Sequence, residues 1–143
     1  MYKLGLNTGF AVNRYSDSDS WTKLVNKCGI NSVQFTADLL NPSLPQKIIS
    51  SQLIKIRKNC QKYNIDVTST FTGAFTRLNH LSHPENEIRK YWVEWFKKFA
   101  EITVELRSTT MGSHFGILTT EDCSDPKIFE ERKNQNIEHW HEI

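Results

Sequence analysis

The sequence is short of cysteine, glycine and proline, has no long apolar run and shows no excess of either charge, and each shortage removes a class of protein. Cys28, Cys60 and Cys123 are odd in number and far apart, with no Cys-x-x-Cys pair. Neither a disulfide framework nor a zinc or dithiol site is encoded, and a reducing, cytoplasmic setting is expected. With 6 glycines and 4 prolines in 143 residues there is no low-complexity or linker composition. No apolar stretch approaches the roughly 20 residues that span a bilayer, and the N-terminal residues lack a signal-peptide core, so no membrane association is expected. The charges, 18 basic against 16 acidic, leave a net +2 and no basic run longer than a pair such as Lys97-Lys98, so nucleic acid is not an expected partner.

Familiar nucleotide and hydrolase signatures are also missing. There is no Gly-x-x-x-x-Gly-Lys-Ser/Thr loop, no Gly-x-Gly-x-x-Gly after the first strand and no Gly-x-Ser-x-Gly elbow. Phosphoryl transfer, dinucleotide redox chemistry and serine hydrolysis lose their main support.

What is present is alternation. A chain of this length forms one domain with a real core, and four strand-like segments alternate with four helix-like ones, the pattern of a parallel α/β sheet. The predicted strands are Lys3 to Thr8, Ser32 to Thr36, Ile65 to Phe71 and Thr109 to Gly116. Between them Trp21, Leu24, Val25 and Cys28 mark a first helix that Gly29 closes, and Ile49, Leu53, Ile56, Cys60 and Tyr63 mark a second. Ile88, Trp92, Trp95, Phe99, Ile102 and Leu106 form the stripe of a third, and these aromatics read as packing against the sheet. Asp125-Pro126 opens a fourth helix with Phe129, Ile137 and Trp140 as a thin apolar face. An eight-unit barrel takes about 250 residues, so this repeat length suits half of one, with a small open sheet as the competing architecture.

In parallel α/β folds ligands lie at the C-terminal ends of the strands. The residues predicted there are Asn7, Thr8 and Phe10; Gln34, Thr36 and Asp38; Thr70, Phe71 and Thr72; and Ser113, His114 and Phe115. The set is neutral, rich in hydroxyls and aromatic, which suits a polyol better than a nucleotide. The substrate-binding candidates are His114, Asn7, Gln34, Phe71 and Thr72. His114 stands out, because Gly112 and Gly116 flank it and their missing Cβ atoms would let backbone and ligand approach closely. His80 and His83, ahead of Pro84, read as a solvated loop or a helix start rather than metal ligands, and His139 and His141, two apart on a helix, point to different faces. Asp38 is the only carboxylate directly at a predicted strand exit. No catalytic residue and no metal ligand is assigned in this chain, because proton transfer on a sugar needs a poised carboxylate, often with a metal.

Several segments together resemble the sugar phosphate isomerase/epimerase family, xylose-isomerase-like TIM barrels of the tagatose-epimerase type. They are Leu4-Gly5-Leu6-Asn7-Thr8, Val33-Gln34-Phe35-Thr36 with Asp38 and Pro42, His83-Pro84 with Arg89, and Thr110-Met111-Gly112-Ser113-His114-Phe115-Gly116. The last resembles that family's Gly-Gly-His-Val/Phe-Gly strand exit. Two departures stand out: Leu106-Arg107 where the family usually has Leu-Gly, and Ser113 in place of a glycine. The resemblance implies that residues 1–143 form one partial barrel domain, strands one to four, carrying the N-terminal substrate-binding half. It implies aldose–ketose isomerisation or epimerisation through a metal-stabilised enediolate in an intact relative. The divalent metal, Mn or Mg or similar, would there be held by two glutamates, an aspartate and a histidine from strands five to eight. The expected partner is a sugar or sugar phosphate. Homodimerisation through the exposed sheet edges is a further expectation, and a non-catalytic α/β module that pairs with a partner is the alternative. A metal-dependent endonuclease of the related barrel group is disfavoured, since a DNA-binding face should be basic.

Overall fold

The computed structural model describes residues 4–78 and 80–143. Four parallel strands, β1 (Leu6–Asn7), β2 (Ser32–Thr36), β3 (Asp66–Phe71) and β4 (Met111–Gly112), form one sheet in the order β1-β2-β3-β4. The crossovers contain α1 (Ser18–Lys27), α2 (Gln46–Lys62) and α3 (Asn86–Glu105), and α4 (Thr120–Ser124) and α5 (Pro126–Glu142) follow β4. Spatial order equals chain order, with no reversal. That is the arrangement of a (βα) barrel and not of a doubly wound open sheet, whose order switches at its ligand crevice.

The first three helices end in one way. Each closes with a left-handed residue, Gly29 at φ 70°, Asn64 at φ 52° and Arg107 at φ 61°. The next amide in each case bonds back five residues, Ile30 to Val25, Ile65 to Cys60 and Ser108 to Thr103. These paired bonds are Schellman caps, and they turn the chain directly into the next strand. The repeat was visible in sequence only at Gly29; Arg107 holds without glycine the conformation that the Leu-Gly pattern would supply. Helix starts are less uniform. Asp17 accepts from Ser20 at α1 and Asp125 from Lys127 at α5, where Pro126 occupies the first turn, whereas α2 and α3 start without a side-chain cap.

The outer face of the sheet carries the core. Val33, Phe35 and Val67 point toward the helices and meet Trp21, Ile49, Leu53, Trp95, Phe96 and Phe99. Burial of Cys60 among them pushes its thiol up to about 12, so it is an inert packing residue.

The predicted β1 and β4 are longer than the observed ones. Lys3 lies outside the described residues. Thr8 leaves the sheet because Asn7 caps a 3-10 turn over Thr8–Ala11, its side chain accepting from the Gly9 amide. β4 is confined to Met111–Gly112, and residues 113–118 run on without regular structure.

Two further expectations are corrected. The inward face of α5 is the buried Asn136 and the half-buried Trp140, while Phe129 and Ile137 are exposed. Trp140 packs edge-on against Phe96 and donates to the Phe115 carbonyl, and Asn136 donates to Ser82 at 2.6 Å. His80 is no solvated loop residue, for it is fully buried against Trp92 and Phe96. Its Nδ1 accepts from the Leu81 amide, and burial, with His114 nearby, lowers its pKa to about 4. His83 does act at the helix start, accepting from the Glu85 amide.

Candidate functional site

At β2 and β3 the pairing slips by one residue: Val33 opposes Val67 but Gln34 opposes Ser69, leaving Thr68 as a bulge. Without it, strict alternation would put Ser69 and Phe71 on the outer face with Val67. With it, Thr68 and Ser69 both turn inward, to Ser32 and Gln34 respectively. Thr70 turns outward to bond Thr103 of α3, and Phe71 is delivered to the inner face.

That face carries a row of polar side chains across three strands. Asn7 donates from Nδ2 to Gln34 Oε1 at 2.8 Å, and Gln34 donates from Nε2 to Ser69 Oγ at 3.2 Å. Both amides are thereby fixed in orientation, with Asn7 exposed and Gln34 half-buried at the open side. Their remaining hydrogen-bonding capacity is available to a ligand.

The strand ends are tied together by buried hydroxyls and one carboxylate. Thr8 accepts from the Thr36 amide, joining the exits of β1 and β2. Asp38 bonds Thr36 Oγ1 and accepts from the Ala74 amide, joining the exits of β2 and β3. Gly73, at φ 66°, fits there because a Cβ would overlap the Asp38 carboxylate. Asp38 is thus engaged in structure.

At the ends of β3 and β4, Thr72, Thr76, Ser113 and His114 meet. Thr72 lies 2.6 Å from Thr76 and 2.9 Å from Ser113, and His114 Nδ1 lies 3.1 Å from Thr76. The His114 ring stands 5.6 Å from that of Phe71, so the two form one partly exposed aromatic wall. Thr72 is fully buried and supports this wall from behind through Ser113 and Thr76. Thr76 and Ser69 were not singled out as site residues; Thr76 falls inside a loop whose turn has no period to betray it.

The two glycines around His114 serve the protein's own packing. A Cβ on Gly112 would press on the Phe71 ring, and one on Gly116 would overlap Asn136 and the Ser82 hydroxyl. Gly116 therefore admits α5, not a ligand.

A cleft of about 870 Å³ lies at the other end of the sheet, lined by Arg57, Asp66, Thr68, Leu106 and Thr109. It opens at the starts of β3 and β4, where barrels carry no ligand site. The inner, C-terminal edge is the better candidate.

No three His, Cys, Asp or Glu side chains gather to suit a metal ion among the described residues. With Asp38 committed to Thr36 and Ala74, the described residues do not by themselves fit a divalent metal.

Geometry of this kind defines a class: a parallel βα half-barrel whose inner face and strand exits form a polar edge with a single carboxylate, Asp38. No family model matches the chain. It is 35% identical over 141 residues to a D-erythrulose 1-phosphate 3-epimerase of Brucella abortus (strain 2308), covering 98% of this chain and 46% of that protein. Among solved structures, a Rhodospirillum rubrum protein classed with the xylose isomerases superposes with a TM-score of 0.90 at 29% identity, over 98% of this chain and 48% of its own. A D-psicose 3-epimerase from Clostridium cellulolyticum H10 shares the fold, with a TM-score of 0.70 at 17% identity over 99% and 48% of the two chains. The chain spans about half the length of the relatives it matches. In sequence and fold it is similar to one half of barrels of the xylose-isomerase-like sugar phosphate isomerase/epimerase type.

Proposed function

We propose that this chain supplies the substrate-binding half of a sugar or sugar-phosphate epimerase or isomerase, acting on a short ketose or its phosphate. The observation that carries the reading is the inner-face row Asn7–Gln34–Ser69 together with the Phe71/His114 wall, which stands two residues further along β3 at its C-terminal end. Oriented amides and an imidazole give hydrogen bonds to a polyol's edges, and the Phe71 ring gives an apolar surface for its carbon chain. The similarity to a D-erythrulose 1-phosphate 3-epimerase supports a four-carbon ketose phosphate as the first ligand to test. In a complete relative a divalent metal would polarise the ketose carbonyl and stabilise an enediolate; this chain's residues bind and orient. Titration calorimetry with D-erythrulose 1-phosphate should show binding that His114→Ala and Gln34→Ala weaken. Equal affinity in wild type and both variants, or no binding to any ketose or ketose phosphate, would sink the reading.

A second reading, an α/β module that pairs with a partner or with itself, is favoured by the two terminal strands, β1 and β4, each bonded to the sheet on one side. A concentration-independent monomer in sedimentation would count against self-pairing.

A further inference from the structure

The hydroxyl cluster behind His114 permits a count of hydrogens. Thr72, Thr76 and Ser113 form a triangle with edges of 2.6 Å (Thr72–Thr76), 2.9 Å (Thr72–Ser113) and 3.4 Å (Ser113–Thr76). A fourth contact, 3.1 Å, joins Thr76 Oγ1 to His114 Nδ1. Each hydroxyl has one hydrogen to give. The angles at the oxygens favour two directions, Thr72 donating to Ser113 and, over a longer 3.4 Å, Ser113 donating to Thr76. The Thr72–Thr76 contact is short and buried, and Thr72 has already given its hydrogen, so Thr76 must donate to Thr72. The ring is then closed and every hydroxyl hydrogen is used. Only the imidazole remains to supply a hydrogen for the fourth contact. If Thr76 instead donated to His114, two oxygens 2.6 Å apart would face each other with no hydrogen between them, which a buried pair does not tolerate.

We infer that Thr76, within the closed Thr72–Ser113–Thr76 ring, holds neutral His114 as the Nδ1–H tautomer and so presents a bare Nε2 that accepts a hydrogen bond from a ligand hydroxyl. The two nitrogens of an imidazole face apart, so Nε2 points away from the triangle. It has no partner among the described residues, and His114 is half-buried beside Phe71. An acceptor at this place matches a hydroxyl of a polyol and disfavours a carbonyl or ether oxygen, which offers no hydrogen. The assignment of the ligand as a sugar rests on the proposed function; the tautomer does not. Thr76 is a positioning residue, since it is fully buried and its hydroxyl bonds, among the described residues, Thr72, Ser113 and His114.

The test is a long-range 15N–1H correlation spectrum of the 15N-labelled full chain at about pH 8, where an ordinary histidine is neutral, with His114 identified by the signals lost in His114→Gln. Wild type is expected to show protonated Nδ1 and unprotonated Nε2. Thr76→Ser should keep that pattern, and Thr76→Val, which cannot accept, should move the majority to Nε2–H. An Nε2–H wild type overturns the inference whether or not Thr76→Val folds. An unchanged tautomer in folded Thr76→Val overturns the role of Thr76. With a ketose phosphate bound, the Nε2 resonance should shift upfield as it gains a donor, and a resonance unmoved on binding overturns the acceptor role. The tautomer is read without ligand, so failure to bind any ketose would overturn the proposed function while leaving this result distinct.

Discussion

On the outer face of the sheet Val33, Phe35 and Val67 are closed over by α1, α2 and α3, while on the inner face of the same strands Gln34, Ser69 and Phe71 stay partly open. The outer set removes apolar area from water and stabilises the fold. The inner set is composed of groups that satisfy one another across strands and gain little by being there, since water would serve them almost as well. Core packing and the open polar row thus fall on opposite faces of the same strands, and the bulge at Thr68 decides which residue of β3 belongs to which. A face that contributes little to folding is free to be shaped for a ligand.

The contrast is broken most severely from the outer side. Phe96 is fully buried among Trp92, Trp95 and Trp140. Phe96→Ala should cost about 3–5 kcal/mol in urea unfolding, most of the stability of a marginal domain. An effect below about 1 kcal/mol would show that the aromatic cluster does not carry the core.

Next comes His80, whose buried ring has its pKa lowered to about 4, chiefly by burial. An unfolded histidine titrates near 6.5, so between roughly 6.5 and 4 the unfolded state binds a proton that the folded state refuses. Stability should therefore be full above pH 6.5, fall as pH drops toward 4 and level off below, by a total on the order of 3 kcal/mol. His80→Asn, which tolerates the φ of 29° and does not titrate, should remove that part of the acid slope. Unfolding curves at several pH values for both proteins give the comparison, and parallel slopes would refute it.

On the inner side the expected effects change kind. Gln34→Ala severs the row at its middle yet should shift stability by no more than about 1 kcal/mol, because water replaces both bonds. The same change should weaken D-erythrulose 1-phosphate binding by roughly tenfold, about 1.4 kcal/mol. Loss of stability without loss of affinity would make the row a structural feature and remove it from the site.

The division between faces was partly legible in the sequence. Parallel strands, the helix stripes and the strand-exit positions of Asn7 and His114 follow from period and order, because a buried stripe must repeat every 3.6 residues and a parallel strand must be followed by a crossover, whereas Gln34 lies at the middle of β2 and not at its exit. The bulge was not legible, since Thr68 and Ser69 have similar polarity and no period distinguishes the face of either. Thr76 was hidden for the same reason. His80 misled because a histidine in a polar loop reads as solvated, whereas its partners, Trp92 and Phe96, lie about two and three turns into the next helix. Gly116 was assigned to a ligand because its true neighbour, Asn136, is twenty residues further on.

The smallest effect concerns the joints that hold both faces in register. Gly29, Asn64 and Arg107 share one left-handed cap, but only glycine adopts it without a Cβ penalty, and asparagine tolerates it better than arginine. Arg107 is exposed, so its side chain contributes little to offset the strain. Arg107→Gly should raise stability by about 0.5–1 kcal/mol, because the relief of the left-handed conformation exceeds the entropy that glycine adds to the unfolded chain. Gly29→Ala should shift it the other way by a similar amount, the space there being open and the cost purely conformational. If Arg107→Gly proved neutral or destabilising in urea unfolding, the guanidinium would be making contacts at the base of β4 that outweigh backbone strain, and the three joints would not be equivalent.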